Sequence, residues 1–119
     1  MQAFTEEELR KVGLPKSWEI FYNSLCYEDQ QEVDICLNRL EIFPILTAIY
    51  KLRLLRDCYR QGKDIKTADY KYNIYYNNKL IEIDKTFNNY HFLSFQTRGL
   101  RDKFLKNFRN LIEQAGDLI

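Results

Sequence analysis

The chain has 119 residues, of which 45% are hydrophobic, 15% aromatic and 29% charged, a balance that indicates one globular domain and excludes a disordered chain. Its 18 basic and 17 acidic residues give a formal net charge of +1, so no overall charge draws it to nucleic acid or to an anionic membrane. Any nucleic-acid binding would need a local basic patch.

The N-terminal stretch is acidic and lacks the basic start and apolar run of a signal peptide. Thr5 and Glu8 have the spacing of a capping box, which predicts a short helix that ends at Gly13. No apolar run approaches the roughly 20 residues that a membrane span needs, so no membrane partner is expected.

The three cysteines have no metal-binding spacing and are an odd number. We therefore expect reduced, mostly buried thiols in a cytoplasmic protein without a cofactor. These residues are Cys26, Cys36 and Cys58.

Two more helices are predicted between Gly13 and the central one. Pro15 suits the first turn of a helix over residues 15–25, where aromatic and apolar side chains share one side. Residues 27–39 have helical spacing at Val33 and Leu37, although their polar start is equally compatible with an irregular segment.

Pro44 opens the central helix, predicted over residues 45–61 and ended by Gly62. Its apolar positions follow helical spacing and predict a buried stripe that neighbouring apolar residues widen. The stripe comprises Ile45, Ala48, Ile49, Leu52, Leu55 and Tyr59, widened by Leu46, Tyr50 and Leu54.

After a polar loop over residues 63–69 the apolar period changes from 3.6 to 2, which predicts three strands in an antiparallel meander. The predicted elements are a strand over 70–76, a turn at Asn77-Asn78, a strand over 79–85, a turn over 86–89 and a strand over 90–96. The larger apolar row is expected against the helices, which leaves Tyr75 on the open face. That row comprises Tyr70, Tyr72, Ile74, Tyr76, Ile81 and Ile83.

Thr97 caps a final helix, predicted over residues 99–115 and ended by Gly116. Its apolar stripe comprises Leu100, Phe104, Phe108, Leu111, Ile112 and Ala115. The predicted fold is α+β, a three-stranded antiparallel meander with helices packed on one face. The whole chain, 1–119, is one domain, with a helical part over 1–43 and a helix-βββ-helix core over 44–119.

Three stretches in this order resemble a group of small uncharacterised proteins that prophages and mobile elements of Bacteroides-type gut anaerobes encode. They are GLPKSWEIF, LRLLRDCYRQG and HFLSFQTRGLRDKFLKNFRNLIEQAGDLI. The likeness is greatest from Ile45 to the end. The chain lacks the tryptophan-rich loop that such proteins often carry after the central helix, and it has Gly99-Leu100 where an acidic helix start is usual. The resemblance implies a genomic context and a related fold, and it transfers no site.

The sequence contains no nucleotide-binding, zinc-protease or serine-hydrolase motif. An enzyme would have to assemble a site from distant residues around His91 or Cys58, and His91 is expected as a half-buried residue on the strand face of Leu93 and Phe95. Glu82 and Asp84 share one strand face and could bind a cation or transfer protons, but charged residues are common on a solvated face.

Basic residues recur on two predicted helices and could bind a phosphate backbone, while exposed tyrosines on a sheet could stack bases. Solvated polar helix faces are also often rich in such cations. The candidate binding residues are Arg53, Arg56, Arg60, Tyr75, Arg101, Lys106 and Arg109.

The favoured hypothesis is a non-enzymatic phage or mobile-element accessory protein that acts as a protein-interaction module, with a host or phage protein as its partner. The balanced charge, the aromatic content and the absence of a catalytic motif motivate it. The alternative is a nucleic-acid-binding accessory factor that uses the basic helix faces. A homodimer is a further alternative for the oligomeric state.

Overall fold

The computed structural model describes residues 13–119, and it confirms the α+β class with a three-stranded antiparallel sheet. The predicted helix between Thr5 and Gly13 falls largely outside the described residues. In chain order the elements are α1 (Trp18–Ser24), α2 (Tyr27–Leu40), α3 (Pro44–Tyr59), a 3₁₀ turn (Ile65–Thr67), β1 (Lys71–Asn77), β2 (Leu80–Thr86), β3 (Leu93–Phe95), α4 (Arg98–Ala115) and a 3₁₀ turn (Gly116–Leu118).

Helix α1 begins three residues later than predicted. The side chain of Ser17 accepts a hydrogen bond from the N–H of Ile20 and caps the helix, so Pro15 lies before the first turn. Pro15 is buried instead, where its carbonyl accepts a hydrogen bond of 2.6 Å from the hydroxyl of Tyr59. The proline therefore fixes the entry of the chain against α3.

Helix α2 is continuous over the segment whose polar start was compatible with irregular structure, and Val33 is its buried residue. Helix α3 follows after a tight turn and buries Ala48, Leu52 and Leu55 as predicted. Its first turn differs from the prediction, since Ile45 and Leu46 are both more than 40% exposed and belong to no buried stripe. The stripe begins only at Ala48, where α3 first meets the core.

The hairpin turn lies one residue further along than predicted. Asn77 still pairs with Leu80, so the two turn residues are Asn78 and Lys79, with φ of +52° and +65°. Two successive residues with positive φ give the turn geometry whose twist matches a β-hairpin, and Asn tolerates it well.

The strand order β2-β1-β3 corrects the predicted meander, in which β2 would have been central. Residues 87–92 cross the face of β1 that lies away from the helices, which brings β3 to the other edge of β1. The Lys71 ammonium donates to the carbonyl of Phe87, and the N–H of His91 donates to the hydroxyl of Ser94. The first bond ties the crossing segment to β1 and the second ties it to β3, whose strand comprises only Leu93–Phe95.

The core lies between the sheet and two antiparallel helices, α3 and α4, that cover one of its faces. Tyr59 of α3 meets the rings of Phe95, Phe104 and Phe108 edge-on at 5.1–6.5 Å between centroids. Such edge-to-face contacts add to the burial of apolar area. The predicted packing of helices on one sheet face and the predicted stripe of α4 are both confirmed, with Thr97 as its cap.

The row expected against the helices is confirmed at Tyr72, Ile74 and Tyr76, which lie on the side of α4 and the C-terminal turn. Tyr70 precedes β1 and is exposed, with its ring edge-on to Phe87 of the crossing segment. The position of Tyr70 was therefore predicted wrongly, because the strand begins one residue later.

Candidate functional site

Two of the predicted phosphate-binding arginines lie along the outer edge of β3. Arg60 donates from Nε to the carbonyl of Ser94 at 2.9 Å, and Arg56 donates from Nη1 to the carbonyl of Phe92 at 3.1 Å. The Arg56 guanidinium also lies 4.7 Å from the Phe92 ring centre and pairs with Asp57. The two side chains bond the carbonyls of Ser94 in β3 and of Phe92 just before it, which protects this edge of the sheet from pairing with another strand.

Burial is the main cause that lowers the pKa of Arg60 to about 10, and the neighbouring charge of Arg56 acts in the same direction. The group stays protonated at neutral pH, and its charge is directed at the backbone of β3. Two adjacent cations that are committed to carbonyl groups are poor contacts for a phosphate.

Arg101 is also used inside the protein, where it is only 6% exposed. It donates to the carbonyl of Asp84 in β2 at 3.1 Å, pairs with Asp102 at 3.0 Å and lies 5.6 Å from the ring centre of Tyr72. Arg101 therefore joins α4 to β2.

The other three predicted cations are exposed. Arg53 lies 5.7 Å from the ring centre of Tyr50 in its own helix, and Lys106 and Arg109 lie on the outer side of α4. The structure thus separates the seven candidate residues into three internal arginines, three exposed cations and one tyrosine.

Tyr75 lies on the sheet face away from the helices, as predicted, but its ring is stacked on His91 with 5.2 Å between centroids and an angle of 15° between planes. A hydrogen bond with Glu82 is the largest cause that raises the pKa of the Tyr75 hydroxyl. His91 was expected on the face of Leu93, and this expectation was wrong because the residue belongs to the crossing segment. The ring that could have stacked a base is therefore already stacked inside the chain.

The same sheet face holds a buried polar network that the sequence did not indicate. Asn73 donates to the carboxylate of Asp84 and to the hydroxyl of Thr86, and it accepts from the hydroxyl of Ser94. Asn73 and Ser94 are fully buried. In the sequence both occupy positions that alternate with apolar residues, which is the pattern of a solvated face, so only the path of the crossing segment reveals their burial.

The carboxylates of Glu82 and Asp84 do share one face, and each has a neutral partner, Tyr75 and Asn73 respectively. Within residues 13–119 no group of three or more His, Cys, Asp or Glu side chains is placed to hold a metal ion.

Cys58 differs from the other two cysteines in being buried, and burial raises the pKa of its thiol to about 12. A thiol that stays protonated at neutral pH is a poor nucleophile. Cys26 is exposed and Cys36 half-buried, so the expectation of mostly buried cysteines holds for Cys58 alone.

A surface that sequence reasoning missed lies where α2 turns into α3. Four large apolar side chains in a run of five residues are 42–73% exposed, and we call them the junction patch. They are Ile42, Phe43, Ile45 and Leu46. The turn beneath them is well bonded, since Phe43 N–H donates to the Leu40 carbonyl at 2.8 Å and the Thr47 hydroxyl donates to the same carbonyl at 2.9 Å.

A groove of about 420 Å³ adjoins the junction patch at Pro44. It is lined by Leu37, Asn38, Glu41, Pro44, Thr47, Lys51 and Gln114. The charged residues of the groove are Glu41 and Lys51, so its lining carries one charge of each sign. An exposed apolar cluster with a charged rim is typical of a surface that binds another protein.

None of the helices between residues 13 and 119 combines the length and the apolar character that a membrane crossing requires. Comparison of the chain with protein-family models, with curated proteins and with solved structures finds no match.

Proposed function

We propose that this protein is a non-enzymatic accessory protein that acts as a protein-interaction module, and that the junction patch is its docking surface. The observation that supports the proposal is the exposure of Ile42, Phe43, Ile45 and Leu46 on a turn held by hydrogen bonds. Because the turn is already ordered, a partner would lose little conformational entropy by binding it.

The chemistry of the partner follows from that of the patch. Each patch side chain retains roughly half of its accessible area, so covering all four contributes about 4 kcal/mol. This is less than the about 8 kcal/mol of a micromolar complex, and polar contacts must add the rest. The groove beside the patch carries Glu41 and Lys51, so this surface favours a partner with an apolar pocket flanked by groups of both charges. The resemblance to prophage and mobile-element proteins favours a host or phage protein in this role.

The test is a pull-down with tagged full-length protein from a Bacteroides-type lysate, run in parallel with the variants Phe43→Ser/Leu46→Ser and Leu118→Ser. Leu118 is 60% exposed at the other end of the described chain and serves as the matched control. We expect the same protein to be retained by the wild type and by Leu118→Ser, and to be absent with the patch variant. Equal retention by all three folded proteins would contradict the proposal.

The alternative function, a nucleic-acid-binding accessory factor, has one observation in its favour. Helix α4 carries five basic and two acidic side chains, and Lys106 and Arg109 are exposed on it. The use of Arg56, Arg60 and Arg101 inside the protein reduces the cations that this function could employ.

A further inference from the structure

The two outer edges of the sheet differ in how they are covered. The edge of β3 receives two arginine side chains, Arg56 from α3 and Arg60 from the C-cap that follows α3. Along β2, the one side-chain bond to a backbone carbonyl of the strand within residues 13–119 is that from Arg101 to Asp84, whose backbone groups face β1 and not the outer edge. A strand edge without such cover is a template on which another strand can pair.

The backbone groups that point outward from β2 follow from the hairpin. A two-residue turn makes its flanking residues, Asn77 and Leu80, a hydrogen-bonded pair. Hydrogen-bonded and non-bonded pairs alternate along an antiparallel ladder. The backbone N–H and C=O of Leu80, Glu82 and Asp84 therefore point toward β1. The outward N–H and C=O groups are therefore those of Ile81, Ile83 and Lys85.

The side chains of β2 divide into an acidic face and a mainly aliphatic face. Glu82 and Asp84 lie on the face away from the helices, and Ile81 and Ile83 lie on the helix face, where Ile83 is 47% exposed. A strand added outside β2 would meet the carboxylates of Glu82 and Asp84 on one face, and Ile81, Ile83 and Lys85 on the other.

A second copy of this chain does not fit this edge. The antiparallel register that uses all three outward residues pairs Ile83 with Ile83 and sets Glu82 of each copy opposite Asp84 of the other. A shift by one pair in either direction sets Glu82 opposite Glu82 or Asp84 opposite Asp84. Like charges directly opposite each other destabilise a strand pair, so self-pairing is disfavoured in each of these registers.

We propose that the outer edge of β2, which pairs with no strand within residues 13–119, binds an extended segment of a partner protein in which basic and aliphatic residues alternate. The main-chain groups of Ile81, Ile83 and Lys85 pair with the segment, its basic side chains lie beside Glu82 and Asp84, and its aliphatic side chains extend the row of Ile81 and Ile83. This surface shares no residue with the junction patch. It is therefore a second docking surface, and its test does not depend on whether the junction patch binds a partner.

The test uses ¹⁵N-labelled full-length protein and two synthetic nine-residue peptides, one of alternating Val and Lys and one of alternating Val and Glu. We expect the Val-Lys peptide to slow amide hydrogen exchange at Ile81, Ile83 and Lys85 at least tenfold. The Val-Glu peptide should leave these amides unchanged. The amides of Glu82 and Asp84, already bonded to β1, should respond less to either peptide.

Two variants sharpen the result. Glu82→Gln should weaken binding of the Val-Lys peptide about two- to fivefold, the range of one cross-strand charge pair, while Glu113→Gln on the exposed side of α4 should not. Ile83→Pro removes one outward donor and no bond to β1, so it should abolish binding. An equal response to both peptides, or changes in exchange that map away from β2, would overturn the proposal. If Ile83→Pro does not fold, the proposal is tested by Glu82→Gln alone, and unchanged affinity of that variant for the Val-Lys peptide would contradict it.

Discussion

The hydroxyl of Ser94 in β3 donates to the amide oxygen of Asn73 in β1, and both side chains are fully buried on the sheet face away from the helices. The same hydroxyl accepts the N–H of His91, which lies at the end of the segment that crosses β1. This pair therefore couples the path of the crossing segment to the pairing of β3. Apolar contacts hold the helix-side face of the sheet, whereas this hydrogen-bonded pair holds the opposite face.

Asn73→Ala should lower the free energy of unfolding by about 2–3 kcal/mol, because Asp84 and Thr86 lose the amide donor of Asn73 and the Ser94 hydroxyl loses one of its two acceptors. Asn110→Ala, at an exposed position of α4, should change it by less than about 0.5 kcal/mol. Urea titration followed by circular dichroism measures both.

A double-mutant cycle with Ser94→Ala isolates the pair. We expect a coupling energy of about 1 kcal/mol between the two substitutions. Strict additivity would show that the two side chains act separately, and the crossing segment would then be held by its other contacts.

The helices and strands were largely predictable because their apolar periods are strong. The stripe of α4, with Phe104 and Ile112, and the alternation in β1 identify their elements without reference to neighbours. Strand order was not predictable in the same way, since alternation shows that a segment is a strand and says nothing about its partner. The decisive contacts come from Asn73 and Ser94, which in sequence look like solvent-facing residues.

The candidate site was predicted only in part, because a local sequence pattern does not show which elements become neighbours in the fold. Helical spacing correctly placed Arg56 and Arg60 on one side of α3, but it could not show that the edge of β3 lies beside them. Likewise Ile45 fits the apolar stripe of α3, yet the first turn of the helix extends beyond the core. Both outcomes depend on tertiary packing, which a local pattern does not contain.

Arg60→Ala should lower the free energy of unfolding by about 2 kcal/mol, since it removes charge-assisted hydrogen bonds to the carbonyls of Ser94 and Phe92. It should also promote self-association at high concentration, because the edge of β3 loses its cover. Thermal unfolding and sedimentation velocity measure the two effects. Arg53→Ala is the matched control, with an exposed arginine in the same helix, and a similar destabilisation in that variant would contradict the assigned role.

The nucleic-acid alternative predicts that the exposed cations of α4 carry the binding. Replacing both Lys106 and Arg109 by Ala should then reduce the slope of log K against log salt for duplex DNA by about 2, because each side chain would neutralise one phosphate. Tyr75→Ala should leave the affinity unchanged, because its ring is already stacked on His91. Fluorescence anisotropy at several salt concentrations tests this, and an unaltered slope in the double variant would remove the alternative.

Alkaline pH should destabilise the protein through Cys58. Burial raises the pKa of this thiol from 9.0 to about 12, so above pH 9 the unfolded chain releases a proton that the folded chain keeps. The stability that the neutral thiol contributes is complete below pH 9 and is lost as the pH rises toward 12. Between pH 8 and pH 10 this group should lower the free energy of unfolding by about 1.4 kcal/mol.

Urea titrations at pH 8, 9 and 10 under reducing conditions measure this decrease. Cys58→Ala starts from a lower stability because it leaves a small cavity, but its stability should fall less over the same range. Cys26→Ala, which removes an exposed thiol, should follow the wild type. Tyr59 and Tyr50, whose pKa values burial also raises, act mainly above pH 10, so the difference between the cysteine variants below that pH belongs to Cys58. Identical pH profiles for all three proteins would contradict the assignment.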